Sequence, residues 1–174
     1  MASADVFIEA FGRVQQTLHR GLADITPEQL TYRPHPEANP IGWLAWHLTR
    51  WQDTRVSALA AHEQTWIAEG WHERFGRPAD AADNGMRHTS EQVAALQATR
   101  ELLLAYHDAV LARTLAYLRD ATDDDLAQER PDAALYRSST PRAQLIGVLS
   151  DSLQHAGQIA YLRGLLAGRH WGAG

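Results

Sequence analysis

A hydrophobic period of 3.6 residues recurs in four long stretches of this chain, and almost nothing in it alternates with the two-residue period of a half-buried strand. From Ser3, read as an N-cap, Val6, Phe7, Ala10, Phe11, Val14, Leu18 and Leu22 share one helical face, and that helix ends near Gly21 to Asp24. Asn39 and Pro40 open the second, cap then proline, with Leu44, His47, Leu48, Trp51, Arg55, Ala58 and Leu59 on its stripe. Thr89 to Gln92 has the form of a capping box, and Val93, Leu96, Thr99, Leu103, Tyr106, Val110, Leu111, Thr114, Leu115 and Leu118 carry a third helix to about Arg119. Thr140 and Pro141 start the fourth, which runs to Gly168 as C-cap. The expected fold is all-α: a four-helix bundle with long connections between helices 2 and 3 and between helices 3 and 4. In such a bundle, ligand and metal sites are built from side chains of facing helices.

The connections carry signals of their own. Thr26 to Leu30 reads as one helical turn, and Thr122 to Leu126 repeats the device. Tyr32 to Pro36 is expected to be extended, because each proline pushes its predecessor out of the helical region. Between Glu63 and Thr89 the pattern breaks into short pieces, helical over Glu63 to Ala68 and a turn or partial helix over Gly70 to Gly76. A connection this long in a compact domain is usually functional or disordered. Its aromatics Trp66, Trp71 and Phe75 predict that it packs down over one end of the bundle.

A length of 174 residues suits one domain, taken as 1–174, with a core that needs no staples. The absence of cysteine removes disulfides, thiolate ligands and a cysteine nucleophile, so any thiol chemistry must borrow its sulfur. All 16 basic residues are arginine, which removes Schiff-base and lysine general-base mechanisms. A net charge of −5 without a basic stripe argues against a nucleic-acid partner. No leader-like N-terminus or membrane-length apolar run is visible, so a soluble cytoplasmic protein is expected.

Asp151 and His155 lie four residues apart and therefore stack on one helical face, among Val148, Ser152, Ile159, Leu162 and Leu166. A carboxylate on a core-facing stripe must be hydrogen-bonded, neutralised or coordinated. His47, in the middle of the second helix's stripe and flanked by Trp43 and Trp46, is the candidate that completes a site. Two imidazoles and one carboxylate suit zinc with an open coordination position, and equally a non-haem iron site. The plainer alternative is a core histidine bonded to a backbone carbonyl beside an Asp–His couple. Asp53 and Gln158 are candidates to orient the ligands from behind, or else face solvent.

The segments Asn39 to Asp53, Trp71 to Gly76, Leu104 to Asp108 and Asp151 to Gly164 resemble the DinB-like superfamily, and within it most resemble the mycothiol S-transferase branch. The resemblance implies a bundle, often a homodimer, that holds a divalent metal, with zinc expected first and nickel, iron or manganese as alternatives. Three histidines usually bind that metal. Carried onto this chain, the positions are His47, Asp151 and His155, so the middle one departs from the three-histidine pattern. The implied activity is transfer of mycothiol, the cosubstrate, to an electrophilic small molecule. Metal binding would deprotonate the thiol, and Trp43, Arg50, Arg55, Trp71 and His88 are candidate contacts at the bundle mouth. Two other readings of the same residues are a hydrolase or isomerase using metal-bound water, and a stress protein that binds a metal or ligand without turnover.

Overall fold

The computed structural model describes residues 3–132 and 137–168. Its long helices are α1 (Ser3–Leu22), α3 (Ile41–Leu59), α7 (Arg100–Asp120) and α9 (Pro141–Ala167). Single turns fill the connections: α2 (Pro27–Thr31), α4 (Thr65–Ala68), α5 (Trp71–Arg74), α6 (Ser90–Ala94) and α8 (Asp123–Ala127). The fold is all-α apart from an antiparallel ribbon of β1 (Arg130–Asp132) and β2 (Arg137–Ser139), in which Arg130 pairs with Ser139.

Cross-helix contacts fix the directions. Gln15 meets Asp108 while Ser3 meets Asp123, so α1 and α7 are antiparallel. Gly21 lies against Ile159 and Ala23 receives Arg163, so α1 and α9 run together. His47 meets His155 and Arg55 meets Gln144, which makes α3 antiparallel to α9. Thr49 faces His107 and Gln52 faces Thr114, which makes α3 parallel to α7. Two parallel neighbours cannot be joined by a tight turn; the chain must travel back along the bundle between them. That requirement accounts for the length of the connection from Ala60 to Thr99.

The crossover packs down as its aromatics predict: Trp66, Trp71 and Phe75 are buried, and each ring stands against Tyr106 of α7. In consequence α3 is covered on nearly every side. Every residue from Ile41 to Arg50 is buried, although Trp51 is only half-buried and Ala58 is exposed. A helix enclosed this way must look inward for polar partners; Thr49, Arg50, Gln52 and Asp53 each find one, while Trp46 Nε1, Gln52 Oε1 and Thr54 Oγ1 have none among the described residues.

Several local expectations need correction. Ser3 is itself helical rather than a cap, and its N–H donates to Asp123. Asn39 does not cap α3: Pro40 occupies the cap with φ −76° and ψ 164°, no side chain caps the helix, and Leu44 N–H bonds the Pro40 carbonyl. The run from Tyr32 to Pro36 is extended only at its start, because a turn closes between His35 and Ala38. The third helix is broken. Thr89 and Gln92 do form the capping box, but α6 ends at Ala94, and Thr99 starts a new helix by accepting the Leu102 N–H. The physical reason is that α6 belongs to the crossover, where Ser90 is tied to Arg33 and to the Pro36 carbonyl. A fresh cap at Thr99 then lets α7 take its own direction beside α3. By contrast, Thr26 and Thr122 cap their single turns, and Thr140 with Pro141 starts α9, which ends at Gly168.

Candidate metal centre

His47 enters the site from the middle of α3, and Asp151 and His155 enter from successive turns of α9. One possible ligand atom from each of the three lies within 4.8 Å of the others. The imidazoles of His47 and His155 meet edge to face with centroids 4.9 Å apart, and His155 Nε2 is 3.4 Å from Asp151 Oδ1. His47 is 7% exposed, whereas His155 and Asp151 are half-buried, so the cluster is walled on the α3 side and opens along α9.

The surroundings decide which nitrogen each imidazole can offer. Nδ1–H of His47 donates to the Asn84 carbonyl, and Nδ1–H of His155 donates to Gln158 Oε1 at 2.8 Å. The Asn84 carbonyl fixes the His47 tautomer that leaves Nε2 as a lone-pair donor, and Gln158 Oε1 favours the same tautomer in neutral His155, the arrangement found behind metal-bound histidines. Asp151 Oδ2 is buried and has no hydrogen-bond partner among the described residues. A buried carboxylate oxygen without a donor is costly, and a cation between it and the two Nε2 atoms would satisfy it. The three side chains therefore fit a divalent metal ion.

Electrostatics agree with that fit. Burial pushes the His47 pKa down, and the Asn84 carbonyl and Asp151 oppose this only in part, so the ring is held neutral. Burial also acts to lower His155, but its bonds to Asp151 and Gln158 outweigh it and the pKa is raised. Carboxylate and imidazole already attract the positive charge that an ion would supply.

A loop of the crossover holds His47 in place. Trp43 stacks on the His47 ring at 4.7 Å and 11°, and its Nε1–H donates to His88 Nδ1 at 3.2 Å. His88 lies flat against Trp46 at 5.7 Å and donates from Nε2 to Asp83 Oδ1 at 2.9 Å. Arg77 pairs with the same carboxylate at 2.9 Å. Burial works to raise Asp83, yet Arg77 and His88 hold it below the usual carboxylate range. Gly85 closes the assembly at φ +89°: a Cβ there would lie 2.9 Å from both Trp43 and Trp46 and 3.0 Å from His47 Nδ1. Gly85→Ala should therefore displace the loop, detach the Asn84 carbonyl and weaken metal binding by about 10–100-fold, the usual cost of losing an outer-shell partner. Competitive chelator titration measures this, and an unchanged dissociation constant would refute the role given to the loop.

The other residues expected at the site divide by position. Trp43 and His88 border His47, and Gln158 bonds His155, as described. Arg50 is fully buried, and its guanidinium makes five hydrogen bonds, to Asp83 O, Ala81 O, Gln64 Oε1, Tyr106 OH and Asp53 Oδ2. Asp53 accepts from the Thr65 and Trp66 amides at 2.9 and 2.8 Å, from Tyr106 OH at 2.8 Å and from Ser57 at 3.1 Å. Neither residue bonds to a ligand side chain in these contacts. Arg55 stands two turns along α3 from His47, over the Trp51 ring and bonded to Gln144. Trp71 lies beneath Arg74 and donates to Glu69.

A family model described as the DinB superfamily matches residues 10–159. No curated protein matches the chain. Among solved structures, a protein from Enterococcus faecalis described as the conserved protein of locus is similar at 27% identity and a TM-score of 0.85. The match covers 97% of this chain and 99% of that one.

Proposed function

Since the chain belongs to the DinB superfamily, we propose that it is a metal-dependent thiol S-transferase that activates mycothiol, with zinc as the metal, for attack on an electrophilic small molecule. The observation that carries this reading is the pairing of an unpartnered Asp151 Oδ2 with two imidazoles whose Nδ1 atoms are already committed. Three protein ligands leave a tetrahedral ion one position for an exogenous group. A zinc ion there would deprotonate a thiol bound to it, a group whose free pKa is about 8.5.

The chain's own residues then have defined tasks. His47, kept neutral by burial, contributes a ligand without a charge, so Asp151 is the only anion among the three and a divalent ion keeps a net positive charge to stabilise a thiolate. Gln158 and the Asn84 carbonyl hold the two rings in register. Trp43 shields the far side of His47 from water. The chain has no cysteine, so the nucleophilic sulfur must be supplied by a cosubstrate.

The test is a conjugation assay on metal-stripped and zinc-reloaded protein, with mycothiol and an electrophile supplied together or singly. Loss of electrophile should require both metal and mycothiol. Turnover by the stripped protein, or turnover that ignores mycothiol, would overturn the proposal.

A further inference from the structure

Beside the metal centre lies a groove of about 520 Å³, within the range of small-molecule sites. Pro34 and Asn39 wall it from the loop before α3. Leu44 forms its floor one turn before His47, and Gln158, Tyr161 and Leu162 line it from α9. Two features relate it to the centre. Gln158 belongs to both, since it lines the groove and holds His155 through Oε1, leaving its Nε2 amide uncommitted among the described residues. Leu44 and His47 share one face of α3 at i, i+3 spacing. A molecule in the groove would thus lie about one turn of α9 from His155.

The lining selects by charge. Among the described residues that line the groove there is no Asp, Glu, His, Arg or Lys; hydrocarbon, a tyrosine ring and amides make up its surface. These lining side chains offer an anion no cationic partner to offset the hydration it would lose among them. An uncharged ring would bury its faces against Leu44, Leu162 and Tyr161 while amide groups meet its polar atoms. Tyr161 is 68% exposed, so an aromatic surface stands at the mouth without cover from the other described residues.

We infer that this groove is the subsite for an uncharged, largely apolar electrophile such as a quinone or enone, held beside the metal-bound sulfur, and that it discriminates against anionic electrophiles. The inference rests on the S-transferase reading above. In the reaction, the sulfur lone pair forms a C–S bond at the β-carbon, the C=C π pair moves into the bond between the α-carbon and the carbonyl carbon, and the C=O π pair moves onto the oxygen. That oxygen takes a proton from water, to which the thiol has already released its own.

The test is direct binding by equilibrium dialysis to metal-stripped protein, where no ion can hold an anion, using menadione as the neutral probe and a naphthoquinone sulfonate as the anionic one. With neither cysteine nor lysine in the chain, neither side-chain type is available to form an adduct with the probe. Gly157 lines the groove, and a Cβ there meets nothing within 4 Å, so Gly157→Phe fills the space without disturbing the helix. Gly147→Phe, at an equally open position of α9 away from the groove, is the control. Menadione binding should weaken at least about tenfold in Gly157→Phe and stay unchanged in Gly147→Phe, and the sulfonate should bind the unsubstituted protein at least about tenfold more weakly than menadione. Equal menadione binding by Gly157→Phe and the unsubstituted protein, no menadione binding at all, or equal affinity for the sulfonate would each overturn the inference. If the binding pattern holds and conjugation with mycothiol fails, the S-transferase reading falls while the groove stands as a site for neutral ligands.

Discussion

Protein carrying His155→Ala, purified and reloaded with zinc, will retain no more metal than the buffer background. His47→Ala will behave the same way, while both variants keep the helical circular dichroism of the parent. His155 is half-buried, so its removal leaves little cavity; what it removes is one of three convergent ligand atoms. Loss of a supporting partner alone costs about 10–100-fold in affinity, and loss of a ligand should exceed that. Gln158→Ala supplies the comparison, with a weakened but measurable site because only the Nδ1 bond is lost. Elemental analysis after dialysis reads all three. Near-stoichiometric metal in His47→Ala or His155→Ala would remove the centre as described.

Asp53→Asn will destabilise the chain by about 3–5 kcal/mol, the usual cost of breaking a buried ion pair from one side. Asp53 is 1% exposed and accepts five hydrogen bonds, from Arg50, Ser57, Thr65, Trp66 and Tyr106. Asparagine keeps the shape but turns an NH₂ group toward donors and leaves the Arg50 guanidinium without its anion. Because the two amides it holds begin α4, the loss is expected to loosen the crossover before the bundle. Thermal denaturation should show a drop of roughly 6–20 °C for a chain of this size. A shift below about 2 °C would mean that Arg50 finds adequate partners in Gln64 and the carbonyls of Ala81 and Asp83.

The main elements of the bundle were legible because each long helix needs only an apolar stripe, and a threonine or a proline, to announce itself. Asp151 and His155 were legible as a pair because a helix imposes their spacing. His47 was joined to them by its place on the stripe and by the resemblance of the surrounding segments. What lies behind the ligands was not legible. The partner of His47 is a backbone carbonyl, which no side-chain pattern reports, and the only trace of it in the sequence is the glycine at position 85. Asp53 and Arg50 look like isolated polar residues on an amphipathic helix. They become a buried pair only once Thr65, Trp66 and Asp83 fold back over α3, and this depends on the chain's path rather than on any local period. The break before Thr99 escaped for a similar reason: the apolar positions on either side of it remain in helical register, and only the tether of Ser90 to the 33–36 segment reveals that α6 belongs elsewhere. The strands Arg130–Asp132 and Arg137–Ser139 are too short to show an alternation.

The parallel course of α3 and α7 has one more consequence. All three candidate metal ligands belong to the long helices, while the carbonyl that sets the tautomer of one of them belongs to the returning strap. A change of length between residues 77 and 88 would therefore alter how firmly the His47 ring is seated, with every candidate ligand still in place.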